Sequence, residues 1–413
     1  MTPGFSRRVF LRGAGLAALG VGVSPTSLIV RAAQAAGRGD SVLVMLFLRG
    51  GADGLSICAP YGDPEYYQQR PTIALPRPLQ AGNEALIDLD GHFGLHPDLA
   101  PLKPLYSEGR LAVLHAVGNA SLGRSHFDAQ EFVETGTPAI KGTPTGYLGR
   151  CIARAEGSDL MRGVSISDLA PRTLQGPGPG PVLVVRDVSR FDFDAPQWRT
   201  EAEACLARMY EDSPLPVGRT GRDALKAIRV LKGAPEIGAP PTVGARYPDV
   251  PLGASLQQAA QIIKAGLGTR CLFVDVSGDF DTHSEQIKHN HKEYAELGSA
   301  LSAFDTDLGK HMDRVLVMVV TEFGRAVYES GAQGTDHGTG GAMLLLGGPV
   351  KGGRIHGRWP GLRKDQLYLE RDLAVTTDFR DAFAEVARKH LGVADVSDLF
   401  PGYVPGPGPG TIS

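Results

Sequence analysis

Seven short runs of mostly apolar residues recur along the chain, at Val42 to Leu48, Leu111 to His115, Val164 to Ser167, Val182 to Val185, Cys271 to Val276, Val315 to Val320 and Met343 to Leu346. Runs of this length that are apolar at nearly every position, rather than every second one, predict strands buried on both faces. Stretches with helical spacing alternate with them, at Ser125 to Glu134, Gly146 to Ala155, Glu201 to Tyr210, Asp223 to Leu231, Leu256 to Gly266, His291 to Lys310 and Asp378 to His390. In the stretch from His291, the residues Leu297, Leu301, Phe304 and Leu308 form a stripe suited to packing on a sheet. The alternation predicts an α/β fold with a doubly wound, mainly parallel sheet flanked by helices.

Proline and glycine mark where this pattern is interrupted. Gln175 to Pro181 reads as a turn-rich connector, and Pro235 to Pro251 as a loop. The mostly helical segment between them, at about residues 191–233, reads as an insertion capping the sheet. The Gly-Pro repeats of residues 401–413 read as a frayed tail. Ahead of the first strand, Ser6-Arg7-Arg8-Val9-Phe10-Leu11-Arg12 has the form of a twin-arginine leader. Ala14 to Val23 is its apolar stretch, and Ala33-Gln34-Ala35 its small-residue cleavage site. Residues 1–35 are therefore expected to be a signal peptide, with residues 36–400 forming the α/β domain, and the protein is expected in the periplasm or outside the cell. The leader's apolar run is shorter than the roughly 20 residues a spanning helix needs, and no later run is longer, so no integral membrane segment is expected.

With 42 Lys and Arg against 45 Asp and Glu, and no basic block after the leader, composition offers nothing to a nucleic acid. The four cysteines, Cys58, Cys151, Cys205 and Cys271, are far apart and contain no C-x-x-C. That spacing implies neither a zinc knuckle nor a disulfide-dense scaffold, although one or two disulfides are compatible with export.

Chemistry gathers where strands end. Val42 to Leu48 runs into Arg49-Gly50-Gly51-Ala52-Asp53-Gly54. Cys271 to Val276 leads to Asp279-Phe280-Asp281-Thr282-His283. Val315 to Val320 runs into Thr321-Glu322-Phe323-Gly324-Arg325, with Thr335-Asp336-His337-Gly338 soon after. Parallel sheets place ligands outside such ends. Asp279, His283 and His337 form a candidate metal set, and Asp53 and Glu322 add carboxylates for a second cation or a supporting network. Asp281 is the alternative to Asp279, or a partner to His283. Arg49 and Arg325 are candidates to hold an anion, or equally to pair with Asp53 or Glu322. Ser125 opens a predicted helix, where the dipole favours negative charge. It reads either as a nucleophile or as an ordinary cap with Asp128 at the third position. His289 and His291 read as surface residues, and His92, His96, His115, His311, His356 and His390 as packed or solvated ones.

Five ordered motifs carry a resemblance: Phe47 to Ser56, Ser125 to Gln130, Gly278 to His283, Thr321 to Arg325 and Gly334 to Gly338. Over about residues 40–395 they resemble the domain-of-unknown-function family numbered 1501, twin-arginine-exported bacterial proteins. That family in turn resembles the alkaline phosphatase and sulfatase superfamily. The resemblance implies an alkaline-phosphatase-like core with Asp53 on one metal, Asp279 and His283 on the other, His337 as a late histidine ligand, and Ser125 near the nucleophile. Glu322-Phe323-Gly324 falls where the superfamily has Asp-His-Gly, so Phe323 replaces a metal-binding histidine. His126, Asp336 or water are the available substitutes.

Two functions follow as expectations. One is an exported hydrolase of phosphate or sulfate esters that uses a divalent ion, zinc, manganese or calcium, with a small anionic ester as substrate and the twin-arginine export machinery as partner. The other is a non-catalytic binding or assembly protein on the same scaffold.

Overall fold

The computed structural model describes residues 41–80, 82–154, 161–177, 182–192, 198–211, 213 and 216–413. The leader and residues 178–181 of the glycine-proline connector lie outside them. Twelve strands are present among the described residues: β1 (Val42–Arg49), β2 (Cys58–Ala59), β3 (Ile87–Asp88), β4 (Gly94–Leu95), β5 (Leu111–Gly118), β6 (Gly163–Ile166), β7 (Val182–Val185), β8 (Cys271–Ser277), β9 (Val315–Thr321), β10 (Gly341–Gly347), β11 (Ile355–His356) and β12 (Thr377–Asp378). β2, β3 and β4 make a small separate sheet, and the others form one nine-stranded sheet ordered β7-β6-β8-β1-β9-β10-β5-β11, with β12 also on β5. All seven predicted strands lie in the large sheet.

β1 and β9 are apolar up to their last residues, and β8 up to Asp275, because each face of the sheet is covered. Val44, Leu46 and Leu48 of β1 join one core with Leu272, Val274, Val317 and Val319. Leu43, Met45 and Phe47, one residue out of step, join the other with Phe273, Leu316 and Met318. Helix α1 (Gly54–Ile57) is a single turn outside the predicted set, while α2 (His126–Thr135), α3 (Tyr147–Arg154), α4 (Arg199–Glu211), α5 (Pro216–Gly233), α6 (Pro251–Ala265), α7 (Gln286–Leu308) and α8 (Phe379–Lys389) follow the predicted order. The stripe of Leu297, Leu301, Phe304 and Leu308 on α7, with Leu256, Ala260 and Ile263 of α6, covers the first face. Phe132 and Val133 of α2 and Phe383 and Val386 of α8 cover the second. The fold is thus a mixed α/β structure with a large, mainly parallel sheet flanked by helices. No helix among the described residues is long and apolar enough to cross a membrane.

β10 departs from a wholly parallel reading. It runs antiparallel to both β9 and β5, because a parallel return needs a crossover, usually a helix, and the connection from Thr321 to Gly341 contains none. The tail also departs from expectation. Instead of fraying, it docks on α8, where the Glu385 carboxylate accepts from the amides of Gly410 and Thr411 at 3.0 Å each and from the Thr411 hydroxyl at 3.0 Å. All four cysteines are free thiols, Cys205 exposed and the other three buried.

The parallel strands end at one edge. Leu48 of β1 pairs with Val276 of β8 and with Thr321 of β9. Gly341, the first residue of β10, pairs with Val117 near the end of β5. Every polar motif singled out in the sequence therefore leaves the sheet on the same side.

His390, at the end of α8, ties that helix to the first strand by donating from Nε2 to the Val42 carbonyl at 2.9 Å. Burial lowers its pKa from the usual 6.5 to about 4, against the opposing pull of that hydrogen bond. The unfolded chain therefore takes up a proton near pH 6.5 that the folded chain refuses until about pH 4, so the neutral ring's contribution is complete above 6.5 and lost as pH falls toward 4. The size is about 3 kcal/mol. His390→Gln is expected to flatten the fall in denaturation midpoint between those pH values, and an unchanged pH profile would contradict this account.

Candidate functional site

Three imidazoles and one carboxylate converge beyond the sheet edge. His126 Nε2 and His283 Nε2 each lie 3.0 Å from His337 Nε2. Asp281 closes the group, with Oδ1 3.0 Å from His337 Nε2 and 3.1 Å from His283 Nε2, and Oδ2 3.3 Å from His126 Nε2. The four side chains arrive from three parts of the fold: His126 on the first residue of α2, Asp281 and His283 on the turn after β8, and His337 on the β9–β10 connection.

The opposite edges of the rings fix where their protons sit. Each Nδ1 faces an atom that can only accept, so each carries its hydrogen there. His126 donates to Glu322 Oε1 at 2.8 Å, His337 to the Arg124 carbonyl at 2.7 Å, and His283 to Asp336 Oδ1 at 3.3 Å. The three Nε2 atoms then present lone pairs to one another and to an anionic oxygen. Such a group is suited to a positive centre. One proton can bridge one of these contacts, whereas a divalent cation can be shared by His126, Asp281 and His337, whose ligand atoms all lie within 4.8 Å of one another. A tetrahedral ion with bonds of about 2.0–2.1 Å sets its ligands about 3.3 Å apart, close to the spacings among His126, His337 and Asp281; His283 adjoins His337 and Asp281 but stands outside that mutually close set. Ligand histidines whose other nitrogen donates to a carboxylate or carbonyl are the usual support for such an ion.

Glu322 is the deepest part of this support, with no exposed side-chain surface. Burial alone would raise its pKa, but hydrogen bonds from His126, Gln130 and the Gly50 amide outweigh it and hold it at about 2. The lasting charge on Glu322 in turn raises the pKa of His126. Asp281 is likewise pushed up by burial and pulled further down, to about 2, by Arg325 and His337. The Arg325 side chain is fully buried. It donates to the carbonyls of Gly51, Thr335, Gly50 and Phe280 and to Asp281 Oδ1 at 2.6 Å.

Phe323, in the position implied by the resemblance for a histidine, lies against the site as a wall. Its ring centroid is 4.9 Å from that of His126 and 4.6 Å from that of His337. Gly51 makes room for it: with φ at +71°, a Cβ there would lie 2.4 Å from the phenylalanine ring.

The remaining candidates lie elsewhere or act differently. Asp279 is 65% exposed and pairs with His289 at 2.8 Å. It is absent from the converging group, and Asp281, two residues on, stands there instead. Asp53 is buried and held by Arg70 Nη1 at 2.5 Å and Nη2 at 3.1 Å, by the Ser56 hydroxyl at 2.6 Å and by Gln286 Nε2 at 2.8 Å. Those donors leave its oxygens engaged. Through Gln286, whose Oε1 also accepts from Thr282 and Thr335, Asp53 braces the two loops that carry His283 and His337. Arg49 stacks on Phe47 and pairs with Glu134 and Asp275. Ser125 is exposed and caps α2 without a side-chain hydrogen bond. The residues on either side of it are tied into the cluster, Arg124 by its carbonyl and His126 by its ring.

Sequence reasoning named His126 only as a substitute ligand and missed Arg70, Gln130 and Gln286. Their signal was faint: a histidine directly after a helix-capping serine, with a glutamine one turn further on.

Residues 258–400 match the model of a family described as a protein of unknown function, DUF1501. The matched stretch contains Asp281, His283, Glu322, Arg325 and His337, while His126 and Ser125 lie outside it. No curated protein matches the chain.

The arrangement separates a structural carboxylate from the cation group. Asp53→Asn is expected to leave the buried Arg70 guanidinium without its counter-charge, at a cost of about 3–5 kcal/mol, while leaving the divalent-ion content of the folded protein unchanged. Denaturant titration together with elemental analysis checks both parts, and loss of metal from folded Asp53→Asn would return Asp53 to the ligand set.

Proposed function

We propose that this chain is a metal-dependent hydrolase of phosphate or sulfate esters, built on an alkaline-phosphatase-like, doubly wound core and exported by the twin-arginine route. The observation that carries the proposal is the meeting of three Nε2 lone pairs and the Asp281 carboxylate, each imidazole oriented from behind by an acceptor. His126, His337 and Asp281 are assigned as ligands as they stand, with His283 as a fourth that closes onto the ion when it binds. Three nitrogens and one oxygen favour zinc or manganese over calcium, which prefers an all-oxygen shell.

The bound cation would supply polarisation of an ester oxygen. The protein's own groups would do the rest. Glu322 keeps the His126 ring turned toward the site, Arg325 holds the Asp281 carboxylate ionised, and Phe323 excludes water from one flank. Ser125 is assigned as nucleophile, at the start of a helix whose amide groups favour negative charge. Attack by its hydroxyl oxygen forms a bond to phosphorus or sulfur and releases the alcohol, which takes up the serine proton. Water then cleaves the serine ester, restoring the hydroxyl and freeing the oxyanion.

A second reading, a binding or assembly protein without turnover, is favoured by Phe323, which fills the flank where a further histidine ligand would stand. The two readings part on measurement. The hydrolase reading expects about one equivalent of divalent metal in the purified full-length chain, lost in His126→Ala, Asp281→Ala and His283→Ala but kept in Asp279→Ala. Absence of divalent metal from natively exported protein would remove the proposal.

Turnover supplies a separate criterion. On a panel of phosphate and sulfate esters, chelation is expected to abolish hydrolysis and metal to restore it, and Ser125→Ala to reduce kcat by about a thousandfold or more. Bound metal with no turnover on any ester would favour the binding reading instead.

A further inference from the structure

Two arginines with unused donors flank the imidazole cluster, and nothing in the cation chemistry accounts for them. Arg124 immediately precedes Ser125, and its carbonyl fixes His337. Its guanidinium gives only Nη2 to a protein acceptor, Asp372 Oδ2 at 2.9 Å, and its side chain is 44% exposed. Arg371 approaches the same carboxylate from the other side, with Nη1 3.2 Å from Asp372 Oδ1. Neither of those two atoms has a hydrogen-bond partner, although both are buried. Arg371 Nη2 is 3.7 Å from Asp336 Oδ2, too far for a hydrogen bond, and Asp336 itself holds His283. Arg124 is thus tied to the cluster through its backbone carbonyl, and Arg371 lies one carboxylate, Asp336, away from His283.

The base of this arrangement is rigid and strained. Asp372 has no exposed side-chain surface and ends a tight turn in which the Tyr368 amide donates to the Asp372 carbonyl at 2.8 Å. Leu369 and Glu370 at the turn's centre adopt φ of 52° and 54°, conformations that favour glycine or asparagine and persist in other residues only where the surroundings impose them. The turn holds Arg371 beside Asp372. Asp372 and Asp336 together balance the two guanidinium groups, and the planar N–H donors of the half-exposed Arg124, with Nη2 of Arg371, are matched to the oxygens of a tetrahedral anion.

We propose that Arg124 and Arg371, held together by Asp372, form a clamp for a tetrahedral oxyanion beside the imidazole cluster. This rests on the hydrolase reading for its purpose and narrows the substrate to one whose phosphate or sulfate group is terminal, with oxygens free to reach both arginines. The clamp itself makes a claim independent of turnover.

Inorganic phosphate and inorganic sulfate, titrated calorimetrically into the full-length protein with and without divalent metal, provide the test. Arg124→Gln and Arg371→Gln are each expected to weaken binding about tenfold or more within a given metal state, with thermal midpoint and metal content retained, and Arg371→Lys is expected to restore part of the loss. The preferred anion of the two identifies the ester class. Equal affinity in wild type and both glutamine variants, or no anion binding by wild type in either metal state, overturns the clamp. A protein that takes up no metal yet binds phosphate in an arginine-dependent way would sink the hydrolase reading and leave the clamp standing.

Discussion

The buried guanidinium of Arg325 is the constraint on which the cluster of imidazoles and Asp281 depends. A charge without water contact is tolerable only when its donors are occupied, and here they are occupied by carbonyls after β1, after β8 and in the β9–β10 connection, together with Asp281. Three loops that leave separate strands are thereby held to one centre. The same contact keeps Asp281 ionised, so the group that draws the loops together also prepares the carboxylate they present.

Around that centre, charge is arranged in layers. Glu322 sits beneath the rings without solvent contact, fixed as an anion by donors from α2 and from the turn after β1. The imidazoles stand above it with their lone pairs outward. Asp53 and Arg70 form a second buried pair whose reach, through Gln286, extends to the loops of His283 and His337. Neither buried pair is evidence of high stability in itself, since burial of ions costs about what their attraction returns. Their effect is on geometry: each leaves few ways to place the loops.

What was legible in the sequence follows from how far each signal reaches. The strands were readable because burial on both faces leaves few polar positions within them, and the helix from Gln286 to Leu308 because its stripe repeats over several turns. That His283, Glu322 and His337 would share one region was legible from the strand-end rule alone. Asp279 and Asp281 could not be separated, because after a strand ends the direction of each side chain depends on the turn, and residues two apart in an extended segment share a face. Asp53 could not be distinguished as a structural ion without its partner Arg70, which lies in no motif. The docking of the tail was hidden for a similar reason, since it depends on Glu385, a residue that reads locally as a helix surface position.

The connection from Thr321 to Gly341 has a consequence for how this protein can change. It leaves β9 and returns as the antiparallel neighbour β10, and on the way supplies Glu322, Phe323, Arg325, Asp336 and His337. Both of its ends are anchored in the middle of the sheet, so length added or removed there displaces the wall, the buried cation and the ring together. Diversity in this scaffold should therefore accumulate in the proline-rich stretch before α6, while this one return path keeps its span.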